Sequence, residues 1–129
     1  MSIRCGQALN AALHEIFERD ERVYLLGEDL LDPYGGAFKI SQGLSTRWPA
    51  RVLTTPVSEP SIFGITAGLA LRGYRPILEI MFGDFIALGL DQGRDLLALG
   101  LVHEAGGDRQ RVSKPAGGDL VGLAEVVAL

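Results

Sequence analysis

Residues 54–92 read TTPVSEPSIFGITAGLALRGYRPILEIMFGDFIALGLDQ. An apolar strand predicted at 51–55 runs into Pro56, and Ser58 is placed to cap a helix whose first turn contains Glu59. An ionisable group inside an otherwise apolar segment needs a partner. The helix dipole favours a carboxylate at this position, so Glu59 is either a helix-capping acid or a functional carboxylate.

Hydrophobic periodicity predicts the same succession of strand and helix along the rest of the chain. Strands that alternate with helices form a parallel sheet with right-handed crossovers. We therefore predict an α/β fold, a doubly wound parallel sheet with helices on both faces. The predicted elements are a helix over 6–18, a strand at 23–26, a helix near 40–48, a strand at 51–55, a helix over 59–72, a strand at 75–80 and a helix over 84–100.

Two glutamates follow predicted strands of this sheet. Glu59 comes after the strand at 51–55, and Glu28 comes after the strand at 23–26. Parallel sheets bind ligands outside the carboxyl ends of their strands, so a site is expected at the edge where these glutamates lie. Acids in such loops also serve as solvated or capping residues, and that alternative stays open for Glu28.

Composition excludes several classes of protein. A chain of 129 residues, 47% apolar and 22% charged, is typical of one globular domain. The net charge of −4 and the lack of a Lys/Arg cluster argue against binding to nucleic acid or to an anionic membrane surface. Cys5 is the single cysteine, so the chain forms neither an internal disulfide nor a cysteine-based zinc site. Without an apolar signal-peptide core or a run of about 18 apolar residues, we expect a cytoplasmic protein.

Three long motifs follow one another: GQALNAALHEIFERDERVYLLGED at 6–29, YGGAFKISQGL at 34–44 and PVSEPSIFGITAGLALRGYRPILEIMFGDF at 56–85. Together they resemble the pyrimidine-binding domain of thiamine-diphosphate enzymes, specifically the β subunit of 2-oxo acid dehydrogenases of the pyruvate, branched-chain or acetoin type. The likeness runs to Gln92 and covers roughly the first seven-tenths of the chain.

The resemblance implies roles for five residues. Glu59 matches the carboxylate that hydrogen-bonds N1′ of the cofactor's aminopyrimidine ring and so activates the cofactor. Phe85 matches an aromatic position that contacts the same ring, and Glu28 matches an acid near the cofactor and the subunit interface. Val57 and Met81 are expected to line the same pocket. Ordinary packing explains Phe85, Val57 and Met81 equally well.

The implied reaction is oxidative decarboxylation of a 2-oxo acid, with transfer of the acyl group to a lipoyl-bearing acyltransferase in the full complex. The family's metal and diphosphate motif, GDG followed at a distance by an asparagine, is absent from this sequence. An α-type subunit that carries the GDG motif is therefore the expected partner, in a homo- or hetero-oligomer, and would supply the magnesium and diphosphate contacts. The isolated chain is expected to be inactive.

The sequence departs from the family after Gln92, where an apolar strand and a catalytic His-Ser-Gln segment would follow. Residues 1–103 are expected to form the pyrimidine-binding-type α/β domain, incomplete at its C-terminus. Residues 104–129 are expected to form a divergent tail, with a polar loop at 106–119 and a terminal amphipathic helix capped by Asp119. A truncated or remodelled gene copy would produce this pattern.

Three functions remain open. The first is an enzyme subunit that supplies the pyrimidine side of a thiamine-diphosphate site. The second is a non-catalytic remnant, or a dimerising or binding module, that keeps the fold. The third is a transketolase-type or deoxyxylulose-phosphate-synthase-type fragment, which shares the glutamate but matches YGGAFK and EIMFGDF less well. Helices 59–72 and 84–100 lack a clean polar face, so both are expected in a subunit interface.

Overall fold

The computed structural model describes residues 5–91 and the backbone of residues 125–128. A 3-10 helix, Gly83–Gly89, follows the third strand. The helices are α1, Cys5–Arg19, α2, Leu44–Arg47, and α3, Glu59–Leu71; the strands are β1, Val23–Glu28, β2, Val52–Thr55, β3, Arg75–Ile80, and β4, Glu125–Ala128.

The four strands form one parallel sheet in the order β2-β1-β3-β4. Leu26 of β1 lies opposite Leu53 of β2 on one side and Leu78 of β3 on the other. Strands β1 and β3 are buried along almost their whole length, as expected for parallel strands that are covered on both faces. The predicted α/β fold with a parallel sheet is therefore confirmed.

Helices pack on both faces of this sheet. Successive residues of a strand point to opposite faces, so Leu25 of β1 lies in one hydrophobic core and Leu26 in another. Phe17 of α1 belongs to the first core, and Ile62 of α3 belongs to the second. Burying a side chain of this size stabilises the fold by about 1.5–3 kcal/mol, so the two cores hold α1 and α3 against the sheet.

Two helices of the structure differ from the predicted ones in length or in type. The helix expected near 40–48 is a single short helix, α2, because Gly43 takes a left-handed conformation (φ 86°) directly before it. The helix expected over 84–100 begins as the 3-10 helix, and its predicted continuation beyond Asp91 lies outside the described residues. A 3-10 turn is common where a helix starts.

The prediction of a terminal helix over 119–129 is wrong for residues 125–128. These residues, EVVA, form strand β4, which pairs in parallel with β3. The two adjacent valines favour an extended backbone, and the outer edge of β3 offers unpaired amide and carbonyl groups. Asp119, the predicted cap, lies outside the described residues.

Candidate active site

Glu28 and Glu59 meet at the carboxyl end of the sheet. Glu28 is the last residue of β1, and Glu59 is the first residue of α3, which follows the neighbouring strand β2. Only 5% of Glu28 and 8% of Glu59 is exposed to solvent. Parallel strands end at a common edge, so two acids far apart in sequence become neighbours there.

Ser58 connects the two acids. Its amide N–H donates a hydrogen bond to Oε1 of Glu28, with a nitrogen-to-oxygen distance of 3.3 Å. Ser58 occupies the N-cap position of α3, as its place in the sequence predicts, but its hydroxyl donates to Oγ of Ser61 at 2.8 Å and makes no capping hydrogen bond. The start of α3 is therefore held by the Glu28 carboxylate.

The surroundings of Glu28 disfavour its charged form. Burial raises the pKa of the Glu28 carboxyl, and the negative charge of Glu59 raises it further; the Ser58 amide opposes the rise, and the charge of Asp29 adds to it. A buried acid whose pKa is shifted by a specific neighbouring charge is a candidate for a functional site.

Glu79 is a third buried acid, which the sequence analysis missed. It lies within β3, is 4% exposed, and neither carboxyl oxygen has a hydrogen-bond partner among the described residues. Burial, followed by the negative charge of Glu28, raises the pKa of Glu79 to about 7. The available signal was a lone glutamate in the otherwise apolar run PILEI, 76–80.

Three phenylalanines form a chain of edge-to-face contacts beside the carboxyl end of β3. The ring centroids of Phe38 and Phe82 lie 6.1 Å apart, and those of Phe82 and Phe85 lie 5.7 Å apart. Phe85 remains 36% exposed. The structure thus joins Phe85, the predicted aromatic contact, to two further aromatic side chains that the sequence analysis did not group with it.

The remaining predicted site residues lie at the same end of the sheet. Val57 precedes α3 and is 74% exposed, whereas Met81 follows β3 and is half-buried. With β1 between β2 and β3, the order along this edge is Val57 and Glu59, then Glu28, then Met81 and Phe85. An apolar surface thus extends on either side of a pair of buried acids.

The loop 29–43 covers part of this edge. Gly35 and Gly36 adopt left-handed conformations, with φ of 70° and 76°. A side chain at Gly35 would place its Cβ 2.8 Å from Cα of Gln42, so this turn of the loop requires glycine.

Across residues 5–91, no group of three or more His, Cys, Asp and Glu side chains is arranged to hold a metal ion. Within that same part of the chain, no helix combines the length and the apolar character needed to cross a bilayer.

Comparison with known proteins gives one family. The family model described as the pyrimidine-binding domain of transketolase matches residues 1–105 of this chain. That range contains all three strands of the site, the acid pair and Glu79.

Curated relatives agree with this match. The pyruvate dehydrogenase E1 component subunit beta of Leifsonia xyli is 46% identical over 92 residues, which are 70% of this chain and 27% of that protein. The human mitochondrial subunit of the same name is 40% identical over 93 residues, 71% of this chain and 26% of that protein. The 3-methyl-2-oxobutanoate dehydrogenase subunit beta of Mycobacterium tuberculosis is 42% identical over 92 residues, 70% of this chain and 26% of that protein.

The chain spans about a quarter of the length of these relatives. The family match covers strands β1 to β3 and the three buried acids, and it ends before β4. The chain therefore belongs to the transketolase pyrimidine-binding domain family and is similar to the β subunits of 2-oxo acid dehydrogenases.

Proposed function

We propose that the chain supplies the pyrimidine-binding side of a thiamine-diphosphate site in a 2-oxo acid dehydrogenase, as a β-type subunit. The observation that carries this proposal is the placement of Glu59, a buried carboxyl at the first turn of α3, beside Glu28 at the carboxyl end of a parallel sheet. Buried, electrostatically coupled acids in such a position are characteristic of functional sites.

The residues present fit an aminopyrimidine ring. Such a ring needs a carboxylate to meet its ring nitrogen and an apolar surface to cover its faces. Glu59 provides the carboxylate, while Val57 and Phe85 provide exposed apolar surface at the same edge. The hydrogen bond between Glu28 and the Ser58 amide fixes the turn from which Glu59 projects.

The chain's own groups would perform two tasks. Glu59 would hold a negative charge against the ring nitrogen in a site where little water competes, which strengthens the hydrogen bond. Glu28 would hold the Ser58 amide, and with it the first turn of α3, in place. When bound, thiamine diphosphate supplies the chemistry that breaks the bond to the carboxylate of a 2-oxo acid.

Partners complete the proposal. An α-type subunit with the GDG motif would bring the magnesium and diphosphate contacts, and a lipoyl-bearing acyltransferase would accept the acyl group. We further propose a reducing, cytoplasmic location, in keeping with the exposed free thiol of Cys5.

Calorimetry tests the proposal directly. The chain, an α-type subunit and their mixture are each titrated with thiamine diphosphate in the presence of magnesium. We expect the mixture to bind the cofactor at least tenfold more tightly than either protein alone. Equal affinity of the mixture and of the α-type subunit would show that this chain contributes no contact and would contradict the proposal.

A second function, that of a dimerising module without catalysis, is favoured by a different observation. Large apolar side chains are exposed on α3 and on the segment after β3: Ile65, Leu71, Phe82, Leu88 and Leu90. Exposed apolar surface of this kind marks an interaction surface whether or not chemistry takes place beside it. Association without cofactor binding in the calorimetric experiment would favour this function.

A further inference from the structure

Glu79 is the buried group that the proposed function does not use. In the sheet it is paired with Val127 of β4, and Gly27 of β1 lies beside it, so neither of these neighbours is charged. Its two carboxyl oxygens are enclosed and lack hydrogen-bond partners among the described residues. Such surroundings disfavour the charged form of a carboxyl.

Two glycines form the walls around this carboxyl. A Cβ built on Gly27 would lie 2.8 Å from the backbone oxygen of Glu79 and 3.0 Å from its Oε2. A Cβ on Gly36 would lie 3.4 Å from Oε1 of Glu79 and 3.2 Å from Oγ of Ser41. Gly36 belongs to the loop 29–43, so the backbone of this loop packs directly on the Glu79 carboxyl.

The loop is also held by contacts away from Glu79. The Gly36 amide donates to the Asp29 carbonyl at 3.0 Å, and the buried Ser41 hydroxyl donates to the Leu30 carbonyl at 3.1 Å. Leu30 and Ile40 anchor the two arms of the loop in the first hydrophobic core. Gly36, between these two anchors, is the part of the loop that faces the Glu79 carboxyl.

The charged groups near Glu79 do not neutralise its anion. Glu28 on β1 repels it. In the loop, Lys39 donates to the carbonyls of Pro33 and Tyr34, and Asp32 accepts from Gly43, Ser45 and Thr46. Asp29 is a further anion near the same strand end. On the α1 side, His14 contacts the carbonyl of Gln42.

We propose that Glu79 is a proton-dependent latch for the loop 29–43: the loop closes on the sheet over the neutral carboxyl and opens when the carboxyl loses its proton. The pKa of about 7 places this change near neutral pH. The inference concerns the loop alone and holds whether or not the chain binds thiamine diphosphate.

Opening of the loop would also change the aromatic surface at this edge of the sheet. Phe38 belongs to the loop, and it contacts Phe82, which contacts Phe85. Release of the loop withdraws Phe38 from this chain of rings, so the latch would set how much aromatic surface the edge of the sheet presents.

Amide hydrogen exchange of the full chain tests the latch. Exchange of peptides within 29–43 is followed from pH 4.5 to 8.5 and corrected for the intrinsic pH dependence of exchange. Opening releases one proton between the ordinary carboxyl pKa of 4.5 and the raised value of about 7. The opening equilibrium constant should therefore rise about tenfold per pH unit in this range and level off above it.

Variants identify the responsible group. In Glu79→Gln the loop's opening constant should be independent of pH, and Glu79→Leu provides the same test if the glutamine variant does not fold. Glu28→Gln should shift the transition to lower pH, because it removes the charge that raises the pKa of Glu79. Glu21→Gln, a change at an exposed glutamate, should behave as the wild type.

Two results would overturn the inference. The first is a wild-type opening constant that does not change between pH 5 and 7. The second is an unchanged pH dependence in a folded Glu79→Gln or Glu79→Leu variant, since the titrating group would then be another residue.

Discussion

The amide of Ser58 and the carboxylate of Glu28 are joined by a hydrogen bond that links the end of β1 to the start of α3. Because Glu59 is the next residue, the position of its side chain depends on a contact made by a different acid. The two glutamates therefore act together: one fixes the turn and the other projects from it. Loss of either should affect the site in a different way.

Glu59→Gln should lower the function of the assembled site and leave the fold intact. Glutamine keeps the shape of the side chain but removes the negative charge that an aminopyrimidine ring requires. With an α-type partner and cofactor present, proton exchange at the reactive carbon of thiamine diphosphate should fall by about 100-fold or more. NMR measures this exchange, and thermal melts of both proteins provide the control for folding. Equal exchange in the two complexes would rule out a catalytic role for Glu59.

The isolated chain should bind thiamine diphosphate weakly, and magnesium should not improve the binding. In the proposed function Glu59, Val57 and Phe85 contact the pyrimidine ring alone, whereas magnesium and the diphosphate would need oxygen ligands from the partner. Titration calorimetry with and without 5-fold excess EDTA over magnesium measures both quantities. Tight binding that EDTA abolishes would show that this chain holds the metal itself.

The face of α3 that carries the small residues Gly64, Ala67 and Gly68 should lie in a subunit interface. Gly68 is exposed, and a Cβ built on it meets nothing within 4 Å, so Gly68→Leu is tolerated in the single chain. At a packed interface the added side chain would cost about 1–3 kcal/mol, or roughly 5- to 160-fold in the dissociation constant. Analytical ultracentrifugation compares this variant with Ala8→Leu, which introduces the same side chain at an exposed position of α1. A wild-type chain that stays monomeric with and without an α-type partner would contradict the prediction.

Asp32→Ala should destabilise the fold. The Asp32 carboxylate accepts hydrogen bonds from the Gly43 amide, the Ser45 hydroxyl and the Thr46 amide and hydroxyl, so it caps α2 from the loop. The loss of such a cap costs about 1–2 kcal/mol. These hydrogen bonds, the Gly43 amide above all, hold the pKa of Asp32 below its usual range.

The depressed pKa of Asp32 also fixes the sign of its pH dependence. Its contribution to stability is present above the ordinary carboxyl pKa of 3.8 and disappears as the pH falls below that value. Urea unfolding at pH 7 and at pH 3 should show a larger gap between wild type and Asp32→Ala at pH 7. A gap of the same size at both values would indicate that the charge on Asp32 plays no part.

Glu79 should produce the opposite pH dependence. Its pKa is raised from 4.5 to about 7 by burial and by Glu28, so its contribution is fully present below pH 4.5 and is lost as the pH rises to about 7. The change amounts to at most about 3 kcal/mol, and less where solvent screens the charge. Urea unfolding of Glu79→Gln across this range should lack the decline seen in the wild type. A wild-type stability that rises from pH 5 to 7 by a similar amount would show that other groups dominate.

The sequence was sufficient to predict the central part of the fold. The strands at 23–28, 52–55 and 75–80 and the helix that begins at Glu59 are marked by local signals: apolar runs, a proline before the helix and a clear change of period. The parallel sheet also predicts where the site lies, since the carboxyl ends of parallel strands share an edge. The proximity of Glu28 and Glu59 could therefore be anticipated.

Other features depend on contacts that a single sequence does not record. Glu79 is one polar residue in an apolar run, and nothing local indicates that Gly27 and Gly36 enclose it. The start of α2 depends on a left-handed Gly43 and on the distant Asp32. The apolar spacing of 125–128 fits the helical period as well as the strand period, so the sequence predicts a helix there. Pairing with β3 makes the segment a strand.

The position of β4 has a consequence for the behaviour of the protein in concentrated solution. A parallel sheet that ended at β3 would expose the amides and carbonyls of a six-residue, largely buried strand, and such an edge recruits strands from other molecules. The segment 125–128 occupies this edge, and the opposite edge is only the four-residue β2. Pairing of β4 with β3 thus leaves fewer backbone groups open to edge-to-edge aggregation.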